Sequence, residues 1–332
     1  MTRPAATTAS SPAASGAVLA EVALDELARL RLTGRLAVGF LLDVIAIARG
    51  KAHVLDTLLV SAVIQANVEE INRRGDLQVA FAQSDEPPPD ELRRPVSMNA
   101  LSSSLDLPFE TVRRRIKALV RDGRCILVEG GVIVPATVLA EPQYAADAYR
   151  AFERIRQFYY QLRDLGLLRD LPPPTVSLSP NVFPIRAVAR LAGTYVLRVV
   201  ETLAKVGDLI DGLIVLEIFR SNVEHLAAEP GPAPGGMFGD DERRPIAVTR
   251  LAARIGVPQE TVRRHVSDLM ARGVVRRLRG GLIVPLEQMA GVNLNLRPAI
   301  EANFNNLHRL FAAYSQLGVL QVWDSAQSLS AA

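Results

Sequence analysis

The sequence has one cysteine, Cys125, in 332 residues, so no disulfide can form within the chain. A reducing cytoplasm is the compartment that suits this composition best. Paired-cysteine motifs are excluded, and no Gly-rich phosphate loop or serine-nucleophile motif is present. The four histidines share no metal-ligand spacing: His53, His225, His265 and His308. We therefore expect no catalytic residues, no metal and no cofactor.

Long hydrophobic runs are also missing. The most apolar stretches, Leu36–Ile71 and Ala192–Leu226, are interrupted by charged residues. Neither contains the roughly 18 uninterrupted apolar residues of a membrane-spanning helix, so we predict buried helices in both. Residues 1–18 are rich in alanine, serine, threonine and proline. They lack the apolar core of a signal peptide and predict a disordered tail.

Lysine is scarce as well, with only Lys51, Lys117 and Lys205, so nearly all positive charge comes from arginine. That charge is unevenly distributed. Arg93–Pro135 carries a net +4 and Arg243–Pro285 a net +8, whereas the whole chain carries +3 and the remainder therefore −9. Positive charge concentrated in two short segments of an acidic chain is typical of a protein that binds nucleic acid.

The two basic segments, named here the first module (Arg93–Pro135) and the second module (Arg243–Pro285), are copies of each other. They align without a gap, and 17 of 43 positions are identical. The repeat continues upstream, where Asp56 and Asn67-Val68-Glu69 recur as Asp211 and Asn222-Val223-Glu224. A repeated module predicts a binding site in two parts.

Each module predicts a helix, a turn, a second helix and a β-hairpin. Apolar spacing indicates first helices at Val96–Leu105 and Ile246–Ile255, and Pro108 and Pro258 open the second helices. Gly123 and Gly273 suit the ends of those second helices. The pairs Gly130-Gly131 and Gly280-Gly281 predict tight primed turns between two strands. This order is that of a winged helix-turn-helix.

The second helix of each module has an apolar face and a charged face. Val112, Ile116 and Leu119 fall on the apolar face of the first copy, as do Val262, Val266 and Leu269 in the second. An exposed recognition helix reads the major groove, and arginine there can donate two hydrogen bonds to guanine. The second wing is basic and suits phosphate or minor-groove contact. The predicted DNA-binding residues are Glu110, Thr111, Arg113, Arg114, Lys117, Arg121, Glu260, Thr261, Arg263, Arg264, Ser267, Arg276, Arg277 and Arg279.

Other interpretations of these residues remain open. Glu110 with Arg114, and Glu260 with Arg264, are spaced as simple surface pairs on a helix. The first wing has Ile126-Leu127-Val128-Glu129 where the second has arginines, so we expect it to contribute little to DNA binding and to pack against protein. Two roles are open for the recurring Asp56 and Asp211 and their Asn and Glu neighbours. They either line a ligand pocket between the halves or make helix–helix hydrogen bonds in a buried interface, and the second role is favoured. The aromatic residues of the C-terminal helices, Phe152, Phe158, Tyr159, Tyr160, Phe304, Phe311 and Tyr314, are expected in the core or in a dimer interface.

Leu101–Val134 and Leu251–Val284 resemble the winged-helix domains of bacterial transcriptional regulators. Pro108-Phe109-Glu110-Thr111-Val112-Arg113-Arg114 is similar to the start of the recognition helix in the GntR and Crp classes. The placing of each module between long helices resembles the MarR class, in which two chains dimerise through terminal helices and bind an inverted repeat. The resemblance implies that one fused chain does the same. The short glycine wing and the long apolar helix pair depart from the MarR class.

These observations predict a mainly α fold, a pseudo-dimer of two tandem winged helix-turn-helix units flanked by long helices, with short β-hairpin wings. The expected domains are a tail at 1–18, a first unit at 19–170, a linker at 171–186 and a second unit at 187–332.

We interpret the chain as a cytoplasmic, nucleoid-associated transcriptional regulator that binds double-stranded DNA without being an enzyme. Two recognition helices would read a bipartite site, in major grooves about 10–10.5 bp apart. The chain could also associate with itself through its apolar helices. The alternative is a winged-helix protein-interaction or architectural module; the sequence indicates no effector.

Overall fold

A computed structural model describes residues 12–83, 87–176, 178, 183–204, 208–233, 236–289 and 296–331. The fold is mainly helical, with two small antiparallel hairpins. The helices of the first half of the chain are α1 (Pro12–Arg49), α2 (Val54–Asn67), α3 (Glu69–Arg73), α4 (Gly75–Ala80), α5 (Met98–Leu105), α6 (Phe109–Arg121), α7 (Ala136–Leu139) and α8 (Pro142–Asp164). Those of the second half are α9 (Ile185–Ala204), α10 (Leu209–Val223), α11 (Val248–Ile255), α12 (Gln259–Ala271), α13 (Leu286–Met289), α14 (Leu296–Gln316) and α15 (Val319–Ala331).

Helix α1 begins earlier than the sequence pattern indicates. The sequence predicts a tail at residues 1–18. Residues 1–11 of it lie outside the described residues, and the chain is helical from Pro12. Proline is favourable in the first turn of a helix, and the alanines that follow have high helix propensity. Residues 12–18, which the sequence analysis assigns to the tail, belong to α1. The predicted linker at 171–186 lies partly outside the described residues, and α9 already begins at Ile185.

The long helices of both halves pack into one shared core. Helix α1 contacts α8 of its own half and α14 and α10 of the other, while α9 packs on α2, α8 and α14. Phe40 of α1 stacks on Phe158 of α8, with ring centroids 4.2 Å apart, and lies 5.7 Å from Tyr195 of α9. The predicted apolar helices at Leu36–Ile71 are thus buried against each other and against the second half.

The aromatic residues predicted for the core lie there. Phe152, Phe158, Tyr159, Phe311 and Tyr314 are buried, while Tyr160 and Phe304 are half-buried. They meet Trp323 of α15, a helix that the sequence analysis did not predict. The Tyr160 hydroxyl donates to the Trp323 carbonyl at 2.6 Å, so α15 closes this end of the core.

Each module forms a helix pair followed by a hairpin. The strands of the first hairpin are β1 (Ile126–Val128) and β2 (Gly131–Ile133), and those of the second are β3 (Arg276–Leu278) and β4 (Gly281–Ile283). Helices α5 and α11 begin two residues later than predicted, because Val96 and Ile246 pair with Val132 and Leu282 in short extensions of the sheets. Within the described residues, no helix is both long enough and apolar enough to cross a membrane.

The hairpin turns differ from the predicted primed turns. Val128 pairs with Gly131, which leaves Glu129 and Gly130 as the two loop residues. Of these, only Gly130 has a positive φ, at 88°, which is the pattern of a type II turn. Gly131 has another purpose, since a Cβ atom there would lie 2.2 Å from the Val96 carbonyl oxygen. The glycine therefore permits the close approach of the two chain segments, and Gly281 does the same beside Ile246.

Candidate nucleic-acid interface

The candidate recognition helices, α6 and α12, are oriented as their sequences predict. Val112 and Ile116 of α6 are fully buried, and Val262 and Val266 of α12 face the same way in the second module. Arg114, Lys117 and Arg121 are exposed on α6, as are Arg263, Arg264 and Ser267 on α12. Thr111 and Thr261 are half-buried at the first turns. The structure therefore brings the charged side chains of each helix onto one solvent-facing surface.

The carboxylate at the start of each recognition helix pairs with a different arginine from the one that the sequence spacing indicated. Glu110 accepts hydrogen bonds from Arg113 at 2.6–3.1 Å, and Glu260 lies 3.4 Å from Arg263. Arg113 is the first cause of the lowered pKa of Glu110. The alternative in which Arg114 and Arg264 are simple surface pairs is therefore not the arrangement formed, because the i,i+3 neighbours Arg113 and Arg263 make the contact. Arg114 and Arg264 are left pointing into solvent.

Two aspartates behind the recognition helices hold them in place. Asp56 of α2 accepts from Arg115 Nη1 at 2.7 Å, next to His53. In the second half, Asp211 of α10 contacts His265 Nδ1 at 2.8 Å and accepts from Arg272 at 2.5 Å. These contacts fix α6 and α12 on their supporting helices. The repeat in the sequence reveals the two aspartates but not their partners, because Arg115 in the first copy is replaced by His265 in the second.

Two buried asparagines connect the supporting helices to the wings. Asn67 donates to the carbonyls of Arg94 and Val132 at 2.8 and 3.2 Å, and its Oδ1 accepts from the Val134 N–H at 3.0 Å. Asn222 makes the same three bonds, to Arg244, Leu282 and Val284. Both side chains are fully buried. Asp56 and Asp211 thus make helix–helix hydrogen bonds, as the sequence favoured, whereas the two asparagines bind the backbone beside the wings.

The two wings differ in chemistry, as expected, but the first does not pack against protein within the described residues. Ile126, Leu127 and Val128 are 38%, 54% and 37% exposed. All three residues of β1 are exposed, so the wing does not pack against the described part of its own chain. Packing against another protein stays a prediction. In the second wing, Arg276 is held by Asp240 and Glu287, while Arg277 and Arg279 extend into solvent.

The second module joins its helix and its wing into one concave surface. A depression of about 660 Å³ is lined by Arg263 and Ser267 of α12 and by Arg277 of β3. In the first module, a depression of about 540 Å³ lies on a different surface, the exposed face of α6, and its lining includes Arg113, Arg114, Lys117 and Arg121. The second module therefore combines basic residues of its helix and its wing in one concave surface, whereas those of the first module lie along one helix.

The described residues contain no group of three or more side chains spaced to hold a metal ion. His53, His225, His265 and His308 each contact a different part of the chain. Cys125 is buried in the first module, and burial raises the pKa of its thiol to about 11, which keeps it protonated and unreactive.

Residues 241–288 match the family model of a DeoR-like helix-turn-helix domain. The match contains the whole second module and a few residues on either side. Neither the curated proteins nor the solved structures include one that matches this chain. The chain carries a DeoR-type helix-turn-helix domain, which supports a bacterial DNA-binding regulator of transcription.

Proposed function

We propose that this chain is a sequence-specific transcriptional regulator that reads a bipartite site in double-stranded DNA with two recognition helices, α6 and α12. The helix-turn-helix match at 241–288 supports this role for the second module. The same role is proposed for the first module because the arrangement is repeated there. In both modules an exposed basic helix is fixed by an equivalent aspartate, and the wing by an equivalent asparagine. Each module with its flanking long helices is the proposed winged-helix unit of a pseudo-dimer.

The two modules are proposed to contribute unequally. Phosphate contacts supply much of the affinity of DNA-binding proteins, and they come mainly from arginine and lysine. The second module offers Arg263 and Arg264 on its helix and Arg277 and Arg279 on its wing, all exposed. The first offers Arg114, Lys117 and Arg121 on its helix and an apolar wing. We therefore infer that the two half-sites differ in sequence and in strength.

The experiment that tests this function is selection of bound fragments from random double-stranded DNA, followed by affinity measurements across a salt series. A bipartite motif with affinity falling steeply as salt rises supports the proposal. Binding that is tight and salt-sensitive but without a motif would instead indicate an architectural role. Absence of binding at low salt would contradict the proposal.

Arginine substitutions on the two recognition helices test the inequality. We expect Arg263→Ala with Arg264→Ala to weaken binding of the selected DNA by about ten- to a hundredfold, because a bidentate arginine–guanine contact is worth about 1–3 kcal/mol. Arg113→Ala with Arg114→Ala should weaken it less. Arg309→Ala, at an exposed arginine of α14 outside both modules, is the control and should leave affinity unchanged. Equal losses in the two double variants would contradict the unequal model.

A second candidate function, recognition of another protein, is favoured for the first module by its exposed apolar wing. Leu127 is 54% exposed and Phe109, at the start of α6, is 41% exposed. A protein contact through these residues would change little with ionic strength, whereas binding to phosphates would weaken. Leu127→Ser separates the two, since it should abolish a protein contact and leave DNA affinity almost unchanged.

A further inference from the structure

A cavity of about 230 Å³ lies between α1, α9 and α10, beside the end of α12. Its walls are apolar, with Leu41, Val199, Leu203, Val215, Leu216 and Phe219 among the lining residues. Protein interiors pack with few voids larger than a water molecule. An apolar cavity of roughly 150 Å³ is already large enough to hold benzene, so this one can hold a larger hydrocarbon group.

One cation at the edge of this cavity is incompletely paired. Arg35 of α1 donates through Nη2 to the carbonyls of Ala227 and Glu229, at 2.5 and 2.9 Å, and its guanidinium lies 5.0 Å from the centre of the Phe238 ring. Its other terminal nitrogen, Nη1, is buried and has no hydrogen-bond partner among the described residues. Burial lowers the pKa of Arg35, only partly offset by Glu229, so its positive charge lacks full compensation. An unpaired buried donor of this kind costs free energy until an acceptor reaches it.

Other charged groups of the lining have partners within the chain, whereas the Glu229 side chain is exposed and acts on Arg35 through its charge. Asp211 is held by His265 and Arg272, and Asp208 accepts from the Ile210 N–H at 2.7 Å. The guanidinium of Arg243 donates to the carbonyls of Phe238 and Val284. Arg35 Nη1 is therefore the group in the lining that is shown to need an acceptor.

We propose that this cavity binds a small hydrophobic carboxylate, with the hydrocarbon part between α1, α9 and α10 and the acid group accepting from Arg35 Nη1. A carboxylate supplies both the negative charge and the acceptor that Arg35 lacks. The apolar walls exclude a sugar or a nucleotide, whose hydroxyl groups would lose their water without finding partners.

The cavity also contacts the second recognition helix. Leu269 and Arg272, at the end of α12, form part of its lining together with Asp211 of α10. Asp211 holds α12 through His265 and Arg272, so a ligand at this wall acts on the contact that positions Arg263 and Arg264. Ligand binding and DNA binding then change each other's affinity by the same factor. This regulatory part of the proposal rests on the proposed DNA-binding function, whereas the binding of a carboxylate does not.

Titration calorimetry on the full chain without DNA tests the site, with octanoate and decanoate as probes and octanol as the uncharged counterpart. At least one of the two acids is expected to bind, and octanol at least about tenfold more weakly than octanoate, since it lacks the charge. No binding of either acid would overturn the proposal. Equal affinity for octanoate and octanol would overturn the role of Arg35.

A matched pair of variants locates the binding site. Val215 lines the cavity, while Val60 occupies the equivalent position on α2 of the first half and is likewise half-buried. Val215→Phe fills the cavity and should weaken acid binding at least about tenfold, whereas Val60→Phe should leave it unchanged. Equal effects of the two substitutions, or none from Val215→Phe, would overturn the assignment. Arg35→Met should reduce the affinity for octanoate to that for octanol; if this variant does not fold, the comparison of the two probes still decides the role of the charge.

The regulatory part is tested by measuring the affinity for the selected DNA with and without saturating acid. A change of about fivefold or more, absent in Val215→Phe, is expected from typical coupling energies. Unchanged DNA affinity with bound acid would overturn the coupling and leave the ligand site standing. If the chain binds no DNA at all, the proposed function fails, and the calorimetric result on the DNA-free chain still decides whether the cavity binds carboxylates.

Discussion

His53 and Asp208 occupy equivalent positions immediately before α2 and α10, and both cap the helix that follows. His53 Nδ1 accepts from the Leu55 N–H at 3.1 Å, and Asp208 Oδ1 accepts from the Ile210 N–H at 2.7 Å. Imidazole can accept at Nδ1 only while that nitrogen is unprotonated. The pKa of His53 is lowered, first by burial and then by the charge of Arg115. Protonation of His53 Nδ1 therefore breaks the capping hydrogen bond of α2 in the first half.

We expect the stability of the chain to fall on mild acidification through His53. Its pKa in the folded chain lies below the ordinary value of 6.5, so the unfolded chain takes up the proton first. Stability that is present above pH 6.5 is then lost as the pH falls through the folded pKa. His53→Asp, which copies the cap of the second half, should remove up to about 1 kcal/mol of this loss. Urea denaturation of both proteins between pH 7.5 and pH 5.5 measures it, and equal losses would contradict the role of His53.

The two copies also differ in the residue that ends α5 and α11. Asp106 and Gly256 both adopt the left-handed conformation, with φ of 49° and 69°. This conformation is strained for a residue with a Cβ atom and not for glycine. Asp106→Gly should therefore raise the free energy of unfolding by about 0.5 kcal/mol. Gly256→Asp should lower it by about 1–2 kcal/mol, since its Cβ would also press on the Arg49 side chain, 2.4 Å away. A loss of stability in Asp106→Gly would refute the argument.

At the level of secondary structure, the wing of each module depends on one buried asparagine of the supporting helix. Asn67 and Asn222 each pair with one carbonyl and one N–H that have no backbone partner among the described residues. Each also donates to a second carbonyl, that of Val132 or Leu282, which accepts from Val96 or Ile246 as well. Backbone groups left buried without a partner cost about 1–3 kcal/mol each. The β-hairpins are short, with three residues in each strand, and cannot maintain their position on pairing alone.

Asn67→Ala and Asn222→Ala should each lower the free energy of unfolding by about 2–4 kcal/mol, because each leaves one carbonyl and one N–H unpaired. Amide hydrogen exchange should speed up at Val134 in the first variant and at Val284 in the second. Asn305→Ala, at an exposed asparagine of α14, is the control and should change stability by less than about 0.5 kcal/mol. A loss of that small size in either asparagine variant would show that the wing is held by other contacts.

The order of helices and hairpins follows from the sequence, because apolar spacing, proline and glycine act locally. The charged faces of α6 and α12 were predicted for the same reason. Three features depend on contacts between distant segments and were not predicted. Gly131 is required for the close approach of the Val96 backbone rather than for the turn. Asp211 contacts the His265 side chain of α12. Trp323 of α15 packs on the aromatic residues of the core. The cavity beside Arg35 depends on four helices and has no local signature.

For the whole molecule, the shared core joins the halves into one packing unit. Phe311 of α14 lies 6.2 Å from Phe158 and 5.9 Å from Tyr159, both on α8 of the first half. Asp43 of α1 accepts from Arg154 of α8 and from Arg220 of α10 and so connects the halves by charge as well. We expect the two halves to unfold together rather than one after the other.

The rate at which a reagent labels the Cys125 thiol measures whether the two halves unfold together. Cys125 is buried in the first module, and its thiol, with a pKa of about 11, reacts only when the module opens. Phe311→Ala, a substitution in the second half, should cost about 3–5 kcal/mol and accelerate labelling of Cys125 by the corresponding factor. Phe183→Ala, at a residue 61% exposed, is the control and should leave the rate unchanged. If Phe311→Ala lowers the denaturation midpoint while labelling stays at its original rate, the halves unfold independently.

The two copies differ at equivalent positions: His53 stands in the first where Asp208 stands in the second, and one wing is apolar while the other is basic. This difference has a genetic consequence. In a protein made of two identical chains, every mutation appears in both subunits, so a change that benefits one side must be tolerated by the other. Here one mutation alters one copy and leaves its counterpart intact. Each copy can therefore acquire its own specificity in single steps, while the core that both copies share keeps the chain folded.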